Sequence, residues 1–209
     1  MLLADQFFCL ARQDWDRRPL LSSRALGIAL AGALLGELVL LGRIDIDDGV
    51  IHIVDAGPPD DPLAHQTLEQ LLHQPQHRDV LTWLAYLATT ATDAVGQRLV
   101  RAKVWCRGER RRLFRTQVVY WPADRNVVAW EPVRLAGQLT SNRWMGVQDV
   151  VLAGLVEAAD LTGAVLWQPE LRRSGVARLE TEVARLDRPL RHLLAHVKAA
   201  LGDAVLAPR

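Results

Sequence analysis

The longest apolar stretch of the chain runs from residue 26 to residue 41, where Glu37 is the only charged residue. A helix there has no polar face for water, so protein or lipid must cover it on nearly every side. Gly42 suits the left-handed residue that ends a helix. Beyond it Arg43, Asp45 and Asp47 alternate with Ile44 and Ile46, as a half-buried strand does. Asp48-Gly49 is a tight-turn signal and residues 50–54 read as the returning strand, so the spacing predicts a central helix followed by a short β-hairpin.

The other segments fit around that centre. Residues 2–12 are apolar at helical spacing and precede a charged loop that ends at Pro19. A turn cluster over 55–62 leads to Asp61 and Pro62, an N-cap and first-turn pair for a helix over 62–73. Pro75 interrupts the pattern, a buried helix with Trp83 and Tyr86 follows over 80–91, and an amphipathic segment spans 93–100. Residues 103–107 read as a strand, 108–112 as a polar turn and 113–121 as its partner strand. After a loop at 122–126, helices are expected over 133–139, 147–166, 175–186 and 189–201, the last capped by Asp187. The predicted fold is mainly α: a single compact helical domain over 1–209 around a buried apolar helix, with two β-hairpins, the second protruding.

Half of the 209 residues are hydrophobic, enough for a substantial core. The formal net charge of +1 argues against a wholesale polyanion binder. Cys9 and Cys106 lack the spacing of a metal or redox pair, which fits a reducing, cytoplasmic compartment. The first residues do not have the order of a secretory signal. The apolar run falls short of the ~20 residues that cross a bilayer, and Glu37 would be costly in hydrocarbon. It therefore reads as a core helix whose Gly32 and Gly36 admit close neighbours.

Signs of catalysis are sparse. No Gly-rich phosphate loop, nucleophile elbow or zinc-protease helix occurs, so neither an enzyme nor a cofactor is expected. His192 and His196 share a helix face, but no third ligand accompanies them, and no metal site is assigned. Pro75 separates His73 from His77. Glu37 reads as a buried carboxylate paired with an arginine. A pocket ringed by Glu37, His52 and Trp83 would be the mark of an unfamiliar enzyme or small-molecule site.

Charge is concentrated in the second hairpin. Between residues 98 and 115 stand Arg98, Arg101, Lys103, Arg107, Arg110, Arg111, Arg112 and Arg115, with Glu109 the one acid, and Trp105, Leu113 and Phe114 are interleaved. That mixture suits an anionic membrane surface, where each cation contributes roughly 1 kcal/mol and an apolar tip can insert. It equally suits a solvated hairpin packed on the body or on another subunit. A second reading takes helix, glycine and two-stranded wing as a winged-helix nucleic-acid binder; it needs a recognition helix with an exposed polar face, which residues 26–41 lack.

Several stretches, in order, resemble the Golgi phosphoprotein 3 family, peripheral membrane proteins of eukaryotes with bacterial relatives. They are AGALLGELVLLGRIDI at 31–46, DAGPPDDPLAHQTL at 55–68, RLVRAKVW at 98–105 and LAGLVEAADLTGA at 152–164. The resemblance, closest in kind to the bacterial branch, implies a compact helical domain that binds phosphatidylinositol 4-phosphate in a shallow basic pocket. It also implies a hairpin that touches membrane or mediates oligomerisation, an adaptor role toward cytoplasmic tails of membrane proteins, and no catalysis. The family's lipid-binding tryptophan, helix arginine and two further basic residues fall here on Ser22, Ala31, Thr89 and Thr92, which carry neither charge nor aromatic ring.

Arg24, Arg98 and Arg101 are therefore the headgroup candidates, and Arg107, Arg110, Arg111, Arg112, Leu113 and Phe114 the candidate membrane or oligomer hairpin. The expected partners are anionic membrane lipid, cytoplasmic tails and a second copy of the chain, with nucleic acid the weaker alternative. The expected location is the cytoplasm, peripherally on the inner face of a membrane.

Overall fold

The computed structural model describes residues 1–12, 19–112, 115–141 and 143–206, without the side chains of 111–112, 115–117 and 205–206. Helix α1 (Leu3–Ala11) precedes the central α2 (Ser23–Leu40), and a hairpin of β1 (Ile44–Asp47) and β2 (Val50–Ile53) follows. Then come α3 (Pro62–His73), α4 (Val80–Arg101) and a second hairpin of β3 (Trp105–Arg112) and β4 (Arg115–Pro122). The rest is helical: α5 (Arg125–Thr140), α6 (Val147–Ala158), α7 (Thr162–Val165), α8 (Pro169–Ala184) and α9 (Arg188–Leu206). The fold is mainly α with two small antiparallel sheets.

Helix α2 passes the length and composition test for a membrane span, yet 78% of that window is buried inside the fold. Its cover comes from α1, α4, α6 and α9. Gly27 lies against the Ala88 backbone and Glu37 meets Arg98, so α2 and α4 advance in parallel. Val197 fills the space above Gly32 and Leu193 approaches Gly36, so α9 runs the other way. With no outward polar face, α2 cannot serve as a recognition helix.

The local rules held where the sequence punctuation was strong. Ser22 caps α2, accepting from the Ala25 N–H at 3.1 Å, and Gly42 leaves the helix at φ +66°. Asp48 and Gly49 both have positive φ, as a two-residue hairpin turn matched to strand twist requires. Asp61 accepts from the N–H groups of Leu63 and Ala64, opening α3 at Pro62 as expected.

Several boundaries differ from the sequence reading, among them that of α8, which begins at Pro169 rather than at residue 175. Residues 80–101 form one helix rather than two segments, because nothing between Ala91 and Asp93 breaks the hydrogen-bond ladder. Residues 108–112, expected as a turn, are strand, with Gly108 opposite Val119 and Arg112 opposite Arg115. Gly108 serves packing there: a Cβ would strike the Trp121 ring. Helix α5 begins at Arg125, capped by Asp124, and continues through Pro132, whereas the expectation began after that proline. The stretch 147–166 is two helices, since Asp160 adopts φ +56° between α6 and α7.

Candidate functional site

The ends of four helices converge on Arg98. Asp5 lies in the first turn of α1, Glu37 in the last turn of α2, Asp61 caps α3, and Arg98 sits in the last turn of α4. Arg98 donates Nε to Asp5 at 2.8 Å, Nη1 to Asp61 at 3.0 Å, and both Nη atoms to Glu37 at 3.0 and 2.9 Å. Glu37 also accepts the Ala4 N–H at 2.8 Å, one of the orphan donors of the α1 N-terminus. Acids at helix N-termini and an arginine at a C-terminus suit the helix dipoles; Glu37 opposes its own, and Arg98 together with Ala4 compensates.

Arg98 is thus buried with every guanidinium nitrogen bonded to a carboxylate, and the headgroup role expected of it is withdrawn. The reading of Glu37 as a buried carboxylate paired with an arginine is the correct one, and Arg98 is that partner. Burial pushes the Asp5 and Glu37 carboxyls above the ordinary range, outweighing the pull of Arg98. Burial also opposes charge on Arg98, but the surrounding carboxylates outweigh it and hold the guanidinium charged. Both directions describe one cation shared among more carboxylates than it neutralises, so the cluster holds a proton more readily than the unfolded chain.

Folded values above unfolded ones give a definite sign: the stabilisation is complete below the unfolded carboxylate range and is lost as pH rises through the folded values. The melting temperature should therefore fall as pH rises from the unfolded carboxylate range, and Glu37→Gln should lessen that fall. A wild-type melting temperature that climbs as pH rises would contradict this.

A second polar network ties α1, α5 and α6. Buried Glu131 accepts from Gln6 at 3.3 Å and from Arg134 at 3.1 Å; Arg134 also bonds Asp149 at 2.6 Å, and Gln148 reaches Gln6 at 2.6 Å. The Cys9 thiol is buried, accepts from Trp105 Nε1 at 3.4 Å, and is pushed up to about 12 by burial, so it is an inert core group.

The remaining headgroup candidates are exposed but do not meet. Arg24 lies in the first turn of α2 and Arg101 in the last of α4. With the two helices parallel and Glu37 level with Arg98, about 24 Å of helix separates them at 1.5 Å per residue. The four positions of the family pocket are structural here. Ser22 is the cap, Ala31 is fully buried in the core, the Thr89 hydroxyl donates to the Tyr86 carbonyl, and Thr92 is half-buried.

His52 is exposed, Trp83 is buried with Nε1 on the His77 carbonyl, Glu37 lies in the ion cluster, and the cavity beside His52 is lined by neither of the other two. His192 Nδ1 accepts the Asp48 N–H at 3.1 Å, fixing the first hairpin to α9, and His196 Nδ1 bonds the His192 carbonyl at 2.7 Å within that helix.

The second hairpin leaves the body past its base. Trp105 and Tyr120 are buried against Phe8, and Tyr120 is bonded to Asp93. Farther out, Arg107, Glu109, Arg110 and Val118 are exposed. Leu113 and Phe114 lie outside the described residues, as do the side chains of Arg111 and Arg112.

Several exposed aromatic and apolar side chains follow the hairpin in sequence and escaped the sequence reading. Helix α5 buries Val128, Glu131, Pro132, Leu135 and Leu139, yet its opposite side shows Val127, Trp130 and Val133. Trp130 is 59% exposed, Trp144 82% and Trp167 74%, and Trp121 adds its ring on β4. Apolar positions recurring on both sides of α5 were the available signal. A groove of about 600 Å³ follows, lined by Leu139, Arg143, Trp144, Arg178 and Arg185.

The fold is built on a buried apolar helix and shows exposed arginines on the second hairpin and exposed tryptophans on and beyond α5. The chain belongs to the Golgi phosphoprotein 3 (GPP34) family, whose description matches residues 3–205. That family is known for adaptor-type, lipid-binding roles rather than catalysis. No curated protein matches the chain.

Proposed function

We propose that this protein is a non-catalytic, peripheral adaptor that binds anionic lipid on the inner face of a membrane from the cytoplasm. The observation that supports it best is the presence of exposed cations and exposed aromatic and apolar side chains on neighbouring segments of the chain, from the second hairpin through α5 to Trp144. Arg107 and Arg110 stand on the hairpin, Trp121 at its base, Val127, Trp130 and Val133 on the outward side of α5, and Trp144 just beyond. Tryptophan rings settle at the headgroup boundary, and arginines add electrostatic attraction.

Recognition of a 4-phosphate at the family's own position is not part of this reading, because Ser22, Ala31, Thr89 and Thr92 provide no cation. Cytoplasmic tails of membrane proteins and a second copy meeting the hairpin are the protein partners this reading carries from the family.

Vesicle co-sedimentation tests the proposal. With Arg110, Arg111 and Arg112 all changed to Glu, the loss of roughly 1 kcal/mol per cation should weaken binding to phosphatidylserine-containing vesicles about a hundredfold. Trp130→Ser should weaken it further while leaving the melting temperature unchanged. Undiminished binding by the triple variant would defeat the assignment of the hairpin.

A further inference from the structure

We propose that the groove between the C-terminal turn of α5 and α8 is a phosphate-ester site gripped by Arg143, Arg178 and Arg185. It rests on the membrane reading only for the lipid source of the phosphate. Several arginines elsewhere are matched to carboxylates, Arg98 to three, Arg134 to Glu131 and Asp149, Arg43 to Asp55 and Arg188 to Asp47, while Arg78 and Arg172 are held by backbone carbonyls. In the groove the balance reverses.

Arg143 is exposed and has no ion pair among the described residues. Arg178 bonds only the Arg143 carbonyl, and its Nε has no partner among the described residues. Arg185, 70% exposed at its side chain, touches Glu182 at 3.2 Å. The lining of this space of about 600 Å³ thus holds three arginines and a single acid, Glu182.

The neighbouring hydroxyls are already committed. Ser141 donates to Gln138, Ser174 to Leu171 and Thr181 to Ala177, each within its own helix turn. Anion recognition therefore falls to the guanidinium forks, which match the several oxygens and near-double charge of a phosphomonoester better than a single carboxylate. Trp144 stands at the rim, with an apolar ring and an N–H to place beside the glycerol of a lipid or the body of a soluble ester.

Two probes separate the sources: glycerol phosphate in solution, measured by titration calorimetry, and phosphatidylcholine vesicles carrying phosphatidic acid, measured by flotation, both with the full chain. The test variant is Arg143→Glu with Arg185→Glu, two exposed positions, its fold checked by melting. It should bind phosphatidic acid vesicles roughly tenfold or more weakly than wild type, the order set by a charge-assisted hydrogen bond. Glycerol phosphate should compete with the wild-type interaction.

If glycerol phosphate binds wild type and not the variant while vesicles bind neither, the groove stands as a soluble-ester site and the membrane reading fails. If vesicles bind wild type and variant alike, the groove is overturned and the hairpin carries the membrane reading alone. If neither probe binds wild type, the groove is overturned.

Discussion

Replacing Arg98 with alanine should cost about 3–5 kcal/mol of stability, the range for removing one partner of a buried ion pair. For a chain of this size each kcal/mol moves the melting temperature by roughly 2–4 °C, so a fall of about 10 °C is expected. The cause is local: Asp5, Glu37 and Asp61 lose the single cation that holds them together at 2.8 to 3.0 Å. Glu37→Gln introduced into the Arg98→Ala chain should recover part of the loss, because it removes a charge left without compensation. Thermal melting of the two single variants and the double variant reads this coupling directly. An exposed lipid ligand would behave differently, with Arg98→Ala melting within about 0.5 kcal/mol of wild type.

The second large effect is expected at Gly27. A Cβ there would strike the carbonyl oxygen of Ala88, a backbone atom inside α4 that cannot rotate aside. Gly27→Ala should therefore destabilise by about 1–3 kcal/mol, although alanine is the better helix former by about 1 kcal/mol. Gly137 in α5 supplies the comparison, since nothing lies within 4 Å of the Cβ it would gain. Gly137→Ala should be neutral or stabilising by up to about 1 kcal/mol. Denaturant melts of both variants decide it, and equal behaviour would mean that α2 and α4 do not approach at Gly27.

These two positions also show what was legible in the sequence. Helix α2, its glycine stop, the first hairpin and the cap at Asp61 were all readable, because each is written in neighbouring residues. Glu37 alone in an apolar run announced a buried partner. The identity of that partner was hidden, because Arg98 stands in a run of basic residues that looks the same whether a member faces solvent or core. Its partners lie at positions 5, 37 and 61, and only the packing of four helix ends brings them together.

The second hairpin was visible but its extent was not. Glycine and four charged residues at 108–112 suggest a turn, whereas cross-strand pairing and the Trp121 ring over Gly108 make them strand. The sequence reading starts α5 only after Pro132, and that late start conceals Val127 and Trp130, which share an outward side with Val133. The groove joins Arg143 to residues of α8 some 35 positions later, a pairing no local pattern contains. The family likeness, by contrast, extends over 3–205 and was carried by the same local stretches that predicted the helices.

Recognition of an anionic surface is the claim on which the functional account turns, and its direct measurement is co-sedimentation of the full chain with two kinds of vesicle. Phosphatidylcholine alone should leave the protein in the supernatant, whereas phosphatidylcholine with phosphatidylserine should pellet it at low ionic strength and release it as salt screens the arginines. Equal pelleting with both vesicles, or none with either at low salt, would contradict it.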